Sequence, residues 1–546
     1  MITSDSDIMV DGIEKNAEDL AKEMKEISPA EFFEKNRHFL GYENPMKSLL
    51  TVVKEAIDNS LEFTCEAGIL PNIYLSVKQI GEDRFKLLIK DNGPGVIAEQ
   101  VPRAFGKVLY GSRFHKLKQS RSLFGIGIKG VCLYSQLTTG KPFKVTTGIG
   151  KGPVHVFEMM IDVTKNEPHI ISHKELKNKE KWHGTILEFE VEGRYIEKGK
   201  SIPEFLKQTA IANPYARIVY DGPDGKMEFP AVAKELPRPP KEIKPHPYGV
   251  EIGVLRRMIR STKSKNIVGF LKNDFSRVGS TSANEICKIA GVDKNKKPLD
   301  INHMELERLH KAMETVKLIA PPTDCLSPLG EQLITEGLKK EVEAEYFAAI
   351  TRPPAVYRGM PFQIEVGLAY GGKLDPNAQA KLMRFANKVP LMYHQGDCAI
   401  TQAVEEVDWR RYGMQQPSGS LPAGPLIILV DFISVWVPFT TEGKQAIASY
   451  PDIIKEIKLG LQDAGRKLKI FISRRRKSHD LQMRQNVFEK YIPEVAIALS
   501  KLSDVPHEKI KTNLEKLLKK GVKEGTEEVV EEESEENGEE NTQQES

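Results

Sequence analysis

From Ser28 to Leu61 the apolar residues recur at helical spacing, and Pro45 is placed to open a helix at its first turn. Val52, Val53, Ala56, Ile57 and Leu61 can share one face of that helix. Glu55 and Asn59, four residues apart, then lie one turn from each other on another face. The period changes to two over Tyr74–Val77 and Phe85–Ile89, which predicts two strands ahead of a turn at Asp91. Val101–Leu109 reads as helix, a polar and basic stretch runs from Gly111 to Arg121, and an apolar helix (Val131, Leu133, Tyr134) opens after Gly127. Strand signals return over 143–190 and end in His183-Gly184-Thr185-Ile-Leu-Glu-Phe-Glu-Val. This order predicts an α+β domain built on a largely antiparallel sheet.

The prolines of Pro237-Arg-Pro-Pro-Lys and Lys244-Pro-His-Pro mark a connector. Short helices are expected beyond it at Val250–Arg260, Ala283–Ala290 and Met304–Val316, closed by Pro321-Pro322. A second mixed domain follows, with strands near 362–369 and 424–439 and an amphipathic helix over 452–468. The pattern of 484–520 is again helical. The expected organisation is a flexible arm (1–25), an α+β domain (26–236), a small helical domain (237–322), an α/β domain (323–482), a helical segment (483–522) and a disordered acidic tail (523–546). The most apolar run, Leu426 to Phe439, is broken by Asp431 and falls short of the roughly 20 residues a membrane span requires, so it reads as buried strands.

Charge changes this picture in one respect. Residues 524–546 hold eleven Glu and no Lys or Arg, so the overall net charge of +3 becomes +14 over residues 1–523. A basic body suits a polyanionic partner, and the tail reads as a solubilising end or an intramolecular competitor. The five cysteines (65, 132, 287, 325, 398) are scattered without metal-ligand spacing, as expected in a reducing cytoplasm. Residues 1–20 lack the basic region and apolar core of a signal peptide.

Three segments carry chemistry. In Glu55-Ala-Ile-Asp58-Asn59-Ser60, an amide oxygen from Asn59 suits a magnesium ion that keeps most of its waters. Glu55, one turn away, can deprotonate an attacking water, which is worth about 10²–10⁴ in rate. An isolated Glu-x-x-x-Asn is otherwise an ordinary helix face. In Asp91-Asn-Gly93-Pro-Gly95 the carboxylate can accept from an adenine amino group while Gly93 and Gly95 let backbone approach the ring; alone, the motif is a turn. Gly125-Ile126-Gly127-Ile128-Lys129-Gly130 opens a helix whose first N–H groups and dipole favour phosphate, or is a pair of packing glycines. Arg113-Phe-His115-Lys116 and Lys129 add positive charge. No Gly-x-x-x-x-Gly-Lys-Ser/Thr and no strand followed by Gly-x-Gly-x-x-Gly is present, which excludes the Walker and Rossmann nucleotide sites.

In this order, with Gly184-Thr185 downstream, the segments resemble the Bergerat-fold (GHKL) ATPases. Glu31-Phe-Phe-Glu-Lys-Asn-Arg-His38, Ala104-Phe-Gly-Lys-Val-Leu, Leu133-Tyr-Ser-Gln-Leu-Thr-Thr-Gly-Lys141, Arg352-Pro-Pro-Ala-Val-Tyr-Arg-Gly359 and Val437-Pro-Phe-Thr-Thr-Glu-Gly-Lys444 narrow the resemblance to the topoisomerase VI B-subunit family, over roughly residues 28–480. The resemblance implies a Bergerat-fold ATPase domain, a helix–two-turn–helix domain and a transducer domain. It implies ATP and Mg2+ as cofactors, Glu55 as base, Asn59 as magnesium ligand and Asp91 as adenine reader. It also implies a transducer lysine, here Lys444, that reaches the γ-phosphate as a compact charge on a long stem. Ser112, Arg113, Thr185 and the loop Ser122, Leu123, Phe124, Gly125, Ile126, Gly127, Ile128, Lys129 match nucleotide-binding positions.

As partners the resemblance implies a DNA-cleaving A subunit, double-stranded DNA and a second B chain that dimerises on binding ATP. The assembly would be a heterotetramer of two A and two B chains, cytoplasmic and nucleoid-associated as in archaea. The break-forming tyrosine belongs to the A subunit, which leaves Tyr357 and Tyr450 to packing or loop roles. Arg256-Arg257, Lys263, Lys265, Lys272 and Arg474-Arg475-Arg476-Lys477 are candidate phosphate contacts, although charge runs are usually solvated faces. No counterpart of the further C-terminal domain of some family members is expected. One departure stands out: Ser122 occupies a position usually held by Gly, and if that position needs a positive φ the serine costs about 1–2 kcal/mol. The alternative is an ATP-gated chaperone or repair clamp without strand passage, which shares Glu55, Asn59 and Asp91 but not the 104–110, 133–141 and 437–447 segments. A sensor kinase would place a phosphoacceptor-histidine hairpin where about 25 polar residues stand.

Overall fold

The structure is a computed structural model that describes residues 17–114, 116–122, 125–441, 443–503 and 505–518. Leu123, Phe124 and the acidic tail lie outside the described residues. Two compact units are present: Met1–Ile243 with Phe439–Gln445, and Lys244–Pro438 with Ala446–Ser546.

The first unit is an eight-stranded sheet with helices packed on it. Its strands are β1 (Asn72–Gly81), β2 (Arg84–Lys90), β3 (Phe143–Ile149), β4 (Val154–Asp162), β5 (Glu167–Leu176), β6 (His183–Glu192), β7 (Arg217–Gly222) and β8 (Gly225–Phe229). They are ordered β5-β4-β3-β6-β2-β1-β7-β8, and every neighbouring pair is antiparallel except β1 with β7. The α+β fold expected from the patterning is what forms.

The Ser28–Leu61 stretch divides into Pro29–Lys35, a 3-10 turn at Arg37–Leu40, and Pro45–Glu66. Asn36 and Gly41 interrupt it, the latter at φ 84, a conformation no helix can propagate. The Pro45–Glu66 helix begins as the sequence anticipates. Pro45 sits in its first turn and the Asn44 side chain accepts the Lys47 N–H at 2.9 Å. Val52, Val53, Ala56, Ile57 and Leu61 are all buried, whereas Glu55 and Asn59 are half-buried. Burying such a row, at about 1.5–3 kcal/mol per large side chain, fixes the roll of the helix and hence the direction of the polar pair.

The second unit opens with four helices, Ile252–Ser261, Ile267–Asp274, Ser280–Ala290 and His303–Thr315, closed around one apolar cluster that includes Leu255, Phe270, Ile286 and Leu309. Ile267–Asp274 was not among the expected helices, because only eight residues separate its Asn266 cap from Phe275. Beyond them lies a six-stranded sheet of β9 (Tyr346–Thr351), β10 (Ala355–Tyr357), β11 (Met360–Tyr370), β12 (Lys381–Ala386), β13 (Val389–Pro390) and β14 (Leu426–Ser434). β14 is buried throughout and β11 at all but its two ends, which explains why Leu426 to Phe439 reads as one apolar run.

Helices cover both faces of this sheet. Gly367 of β11 faces Ile334 and Leu338 of the Glu331–Glu341 helix, whereas its neighbour Val366 faces Gly460 of the helix Pro451–Ser503. That last helix is continuous for 53 residues and so joins the two helical stretches expected at 452–468 and 484–520. Arg352 fastens the end of β9 to it through Asp463 at 3.0 Å and Glu456 at 3.3 Å. The Tyr357 and Tyr450 rings pack at 4.8 Å with the Arg358 guanidinium over both, a packing role.

Phe270 is fully buried in the four-helix cluster, so Phe270→Ala should cost about 3–5 kcal/mol. Chemical denaturation should show a lower midpoint for this variant, with little change for Leu299→Ala at a position 72% exposed.

Candidate functional site

The first unit holds a cavity of about 530 Å3 between the Pro45–Glu66 helix, the sheet and the Gly127–Thr139 helix. Asn59 lines it from the first helix, and its side chain makes no hydrogen bond among the described residues. An amide oxygen without an internal partner, facing a polar cavity, is a suitable ligand for a hard cation that keeps most of its water.

Asp91 lines the same cavity at the end of β2. Its Oδ1 accepts the Gly93 N–H at 2.9 Å and the Thr185 N–H at 3.1 Å, and its Oδ2 accepts the Ser60 hydroxyl at 3.2 Å. Burial pushes this carboxyl up from its ordinary value, against the pull of those three donors. The orientation of Asp91 is therefore set by Ser60 and by β6, through Thr185, which itself lines the cavity. Gly95 lines it too, at φ 73; Gly93 touches Asp91 and does not.

The phosphate-loop candidates Ser112, Arg113, Ser122, Gly125, Gly127, Ile128 and Lys129 line the same cavity. Gly127 begins the 13-residue helix, Ile126 precedes it, and no side chain caps its N-terminus. Positive φ falls on Gly125, at 56, and not on Ser122, so the strain expected of the serine does not arise. The Lys129 ammonium donates to the Tyr110 carbonyl at 2.8 Å, and burial pushes it down to about 8. Arg113 pairs with Glu66 at 2.7 Å and lies over the Phe63 ring, so its charge is already partnered.

Glu55 faces a second cavity, of about 380 Å3, lined also by Phe32, Phe33, Phe39, Tyr42 and Lys444. Ser122 and Gly127 line both cavities. Glu55 reaches the helix start closely enough that a Cβ on Gly127 would overlap its carboxylate, so only glycine allows this approach. Lys444 comes to the site on the Phe439–Gln445 segment. It is buried at φ 52, a conformation costly for a non-glycine residue, and its Nζ donates to the Arg121 carbonyl at 3.2 Å.

Sequence reading missed Arg121 and its partners. The guanidinium is buried beside Asp58 and Glu62, each at 3.9 Å, and also donates to Asn213. Glu62 accepts the Arg121 N–H at 2.9 Å and the Ser120 hydroxyl at 3.0 Å, which ties this loop to the Pro45–Glu66 helix. Burial pushes Asp58 up to about 6 while Arg121 pulls it down, and its Oδ1 accepts no hydrogen bond. Asp58 stands inside the quoted Glu55–Ser60 motif, but nothing local to the sequence distinguishes a buried arginine within a basic loop.

Residues 46–164 match the histidine kinase-, DNA gyrase B- and HSP90-like ATPase family, and residues 321–484 match the topoisomerase VI B-subunit transducer. The chain is similar to the B subunit of the type 2 DNA topoisomerase 6 of Methanosarcina barkeri, 46% identical over 495 residues that cover 90% of this chain and 80% of that one. The corresponding B subunit of Archaeoglobus fulgidus is 44% identical over 481 residues, 86% of this chain and 78% of its own. That of Pyrococcus horikoshii is 38% identical over 551 residues, 92% and 96%. Among the described residues no helix is long and apolar enough to cross a membrane.

Asp58 supplies a pH test of the site. Its folded value near 6 lies above the ordinary 3.8, so the folded state holds a proton that the unfolded chain releases. The resulting stability is fully present below pH 3.8 and is lost as pH rises through about 6. The loss amounts to about 3 kcal/mol. Chemical denaturation between pH 4 and 7 should show this slope in the wild type and its absence in Asp58→Asn.

Proposed function

The chain belongs to the topoisomerase VI B-subunit family and is the B subunit of an ATP-driven type II DNA topoisomerase; from that premise we propose that it works as a gate which ATP closes and hydrolysis resets. The observation that carries the reading is the convergence, around two cavities joined by Ser122 and Gly127, of a carboxylate, an unpartnered amide and a lysine from residue 444.

ATP is the substrate. Asp91, held by Ser60, Gly93 and Thr185, accepts from the adenine amino group, and Gly95 gives the base room. The uncapped start of the Gly127–Thr139 helix turns N–H groups and the positive end of the helix dipole toward the phosphates. Lys129 and Ser112 supply further donors. Arg113 takes part if it exchanges its Glu66 partner for phosphate. Asn59 would hold a magnesium ion, whose chemistry when bound is to neutralise phosphate charge. Glu55, free of hydrogen bonds among the described residues, orients the attacking water and takes its proton. Lys444, released from the Arg121 carbonyl, places its ammonium on the γ-phosphate.

The Phe439–Gln445 segment belongs to the first unit while the residues on either side of it in sequence belong to the second. Whatever moves Lys444 is therefore linked through the chain to the transducer sheet. On this reading two B chains dimerise when ATP closes each site, and a DNA-cleaving A subunit completes an assembly of two A and two B chains. Closure requires that the closed form bind ATP more tightly than the open one. DNA contacts are assigned to the basic clusters at 256–272 and 474–477 through phosphate, without sequence preference. Within the latter, Arg475 also pairs with Glu345 at 2.8 Å.

Combined with a purified tyrosine-bearing A subunit, the chain should relax supercoiled plasmid only when ATP is supplied; absence of relaxation with a partner active in DNA cleavage would refute strand passage. Glu55→Ala should lower ATP turnover by about 10²–10⁴ while nucleotide binding and nucleotide-dependent dimerisation persist. Turnover assays beside equilibrium binding and sedimentation check this, and retained turnover would remove Glu55 from the role of base.

A further inference from the structure

The outer strand pair of the eight-stranded sheet carries a cluster with no part in either cavity. His155 of β4 and Glu175 of β5 are direct register partners, and His173 pairs with Phe157 two positions along. On one face of an antiparallel pair such direct and diagonal neighbours are close enough to touch. His155 Nδ1 lies 3.1 Å from His173 Nε2 and 3.7 Å from Glu175 Oε1. One ligand atom from each of the three residues lies within 4.8 Å of the other two.

We infer that His155, His173 and Glu175 form a divalent transition-metal site of the zinc class, with three protein ligands and one position open to solvent. Zinc binds imidazole nitrogen and carboxylate oxygen at roughly 2.0–2.2 Å, which sets ligand atoms of a tetrahedral site about 3.4 Å apart. The two distances at His155 Nδ1 fall on either side of that spacing. A single imidazole nitrogen has one in-plane direction for a partner, so His155 Nδ1 cannot serve His173 and Glu175 equally by hydrogen bonding. A cation placed among the three atoms satisfies all of them at once. Two nitrogens and one carboxylate favour zinc, or a neighbouring transition metal, over magnesium or calcium.

The ligands are partly organised in advance. The His173 ring stacks on Phe157 at 4.1 Å with 6° between planes, which fixes the plane of the ring. His155 is 18% exposed in its side chain and Glu175 60%, so the cluster has a sheltered side and a side open to water for a fourth ligand. The site would clamp β4 to β5 at one edge of the sheet.

The test uses the full chain after treatment with a chelator. Calorimetric titration with zinc chloride should show one site per chain, and cobalt(II) should give the visible absorption of a low-symmetry, tetrahedral-type complex. His173→Ala and Glu175→Gln should each weaken zinc binding by more than about tenfold. His169→Ala, on the same strand outside the cluster, should leave it unchanged. Circular dichroism establishes that each variant is folded, and Glu175→Gln alters an exposed position if His173→Ala is not. Absence of a stoichiometric site in the wild type, or equal affinity in wild type and Glu175→Gln, would overturn the assignment.

Discussion

The first unit depends on a guanidinium held out of water. Arg121 is buried beside Asp58 and Glu62, both on the Pro45–Glu66 helix, and donates to Asn213 at the end of another helix. Taking one partner from such a group leaves an uncompensated buried charge, at a cost of about 3–5 kcal/mol. The loop that carries Arg121 therefore cannot leave the helix without leaving the Asp58 and Glu62 carboxylates uncompensated. Ser120 and the Arg121 N–H, each bonded to Glu62, add direct tethers at the same place. Ser122, which lines both cavities, follows directly from this anchored point.

Lys444 is governed by the same anchor. Its ammonium bonds the carbonyl of Arg121, so the side chain that fixes the loop and the main-chain atom that receives the lysine belong to one residue. A left-handed backbone at Lys444 is a strained conformation for a side chain of this size and persists only where its surroundings hold it. A lysine parked on a carbonyl can be given up for a better acceptor at small cost, because a phosphate oxygen offers a charge where the carbonyl offers only a dipole.

Much of this was legible in the sequence, for identifiable reasons. The apolar face of the Pro45–Glu66 helix fixes where Glu55 and Asn59 point, and periodicity reports that face directly. Strands β2, β3, β4 and β6 of the first sheet are half-buried and alternate, so they too announce themselves. By contrast, β5 buries none of its residues, and β7 and β8 lie outside the expected strands. The covered sheet of the second unit does not alternate: β14 is apolar on both faces, and within its core Asp431 is buried and accepts the Lys388 N–H at 3.1 Å. Least legible was the ion network. Asp58, Glu62, Arg121 and Asn213 are spread over more than 150 positions, and burial of charge is a product of tertiary packing that no local pattern encodes. The Ser122 question had the same origin, since backbone φ in an irregular loop is set by what the loop packs against.

The division of the site into two cavities follows from these restraints. Asn59 and Asp91 face the larger one, Glu55 and Lys444 the smaller, and Ser122 and Gly127 line both. If adenine occupies the end marked by Asp91, the phosphate chain must run toward Gly127, because that is where the Glu55 carboxylate meets the start of the helix. On the proposed reading the reacting phosphorus would lie near that junction, with Glu55 on the side of the smaller cavity and Asn59 on the side of the larger. Gly127 suits this place: a Cβ there would overlap the Glu55 carboxylate and turn it away from a residue that lines both cavities.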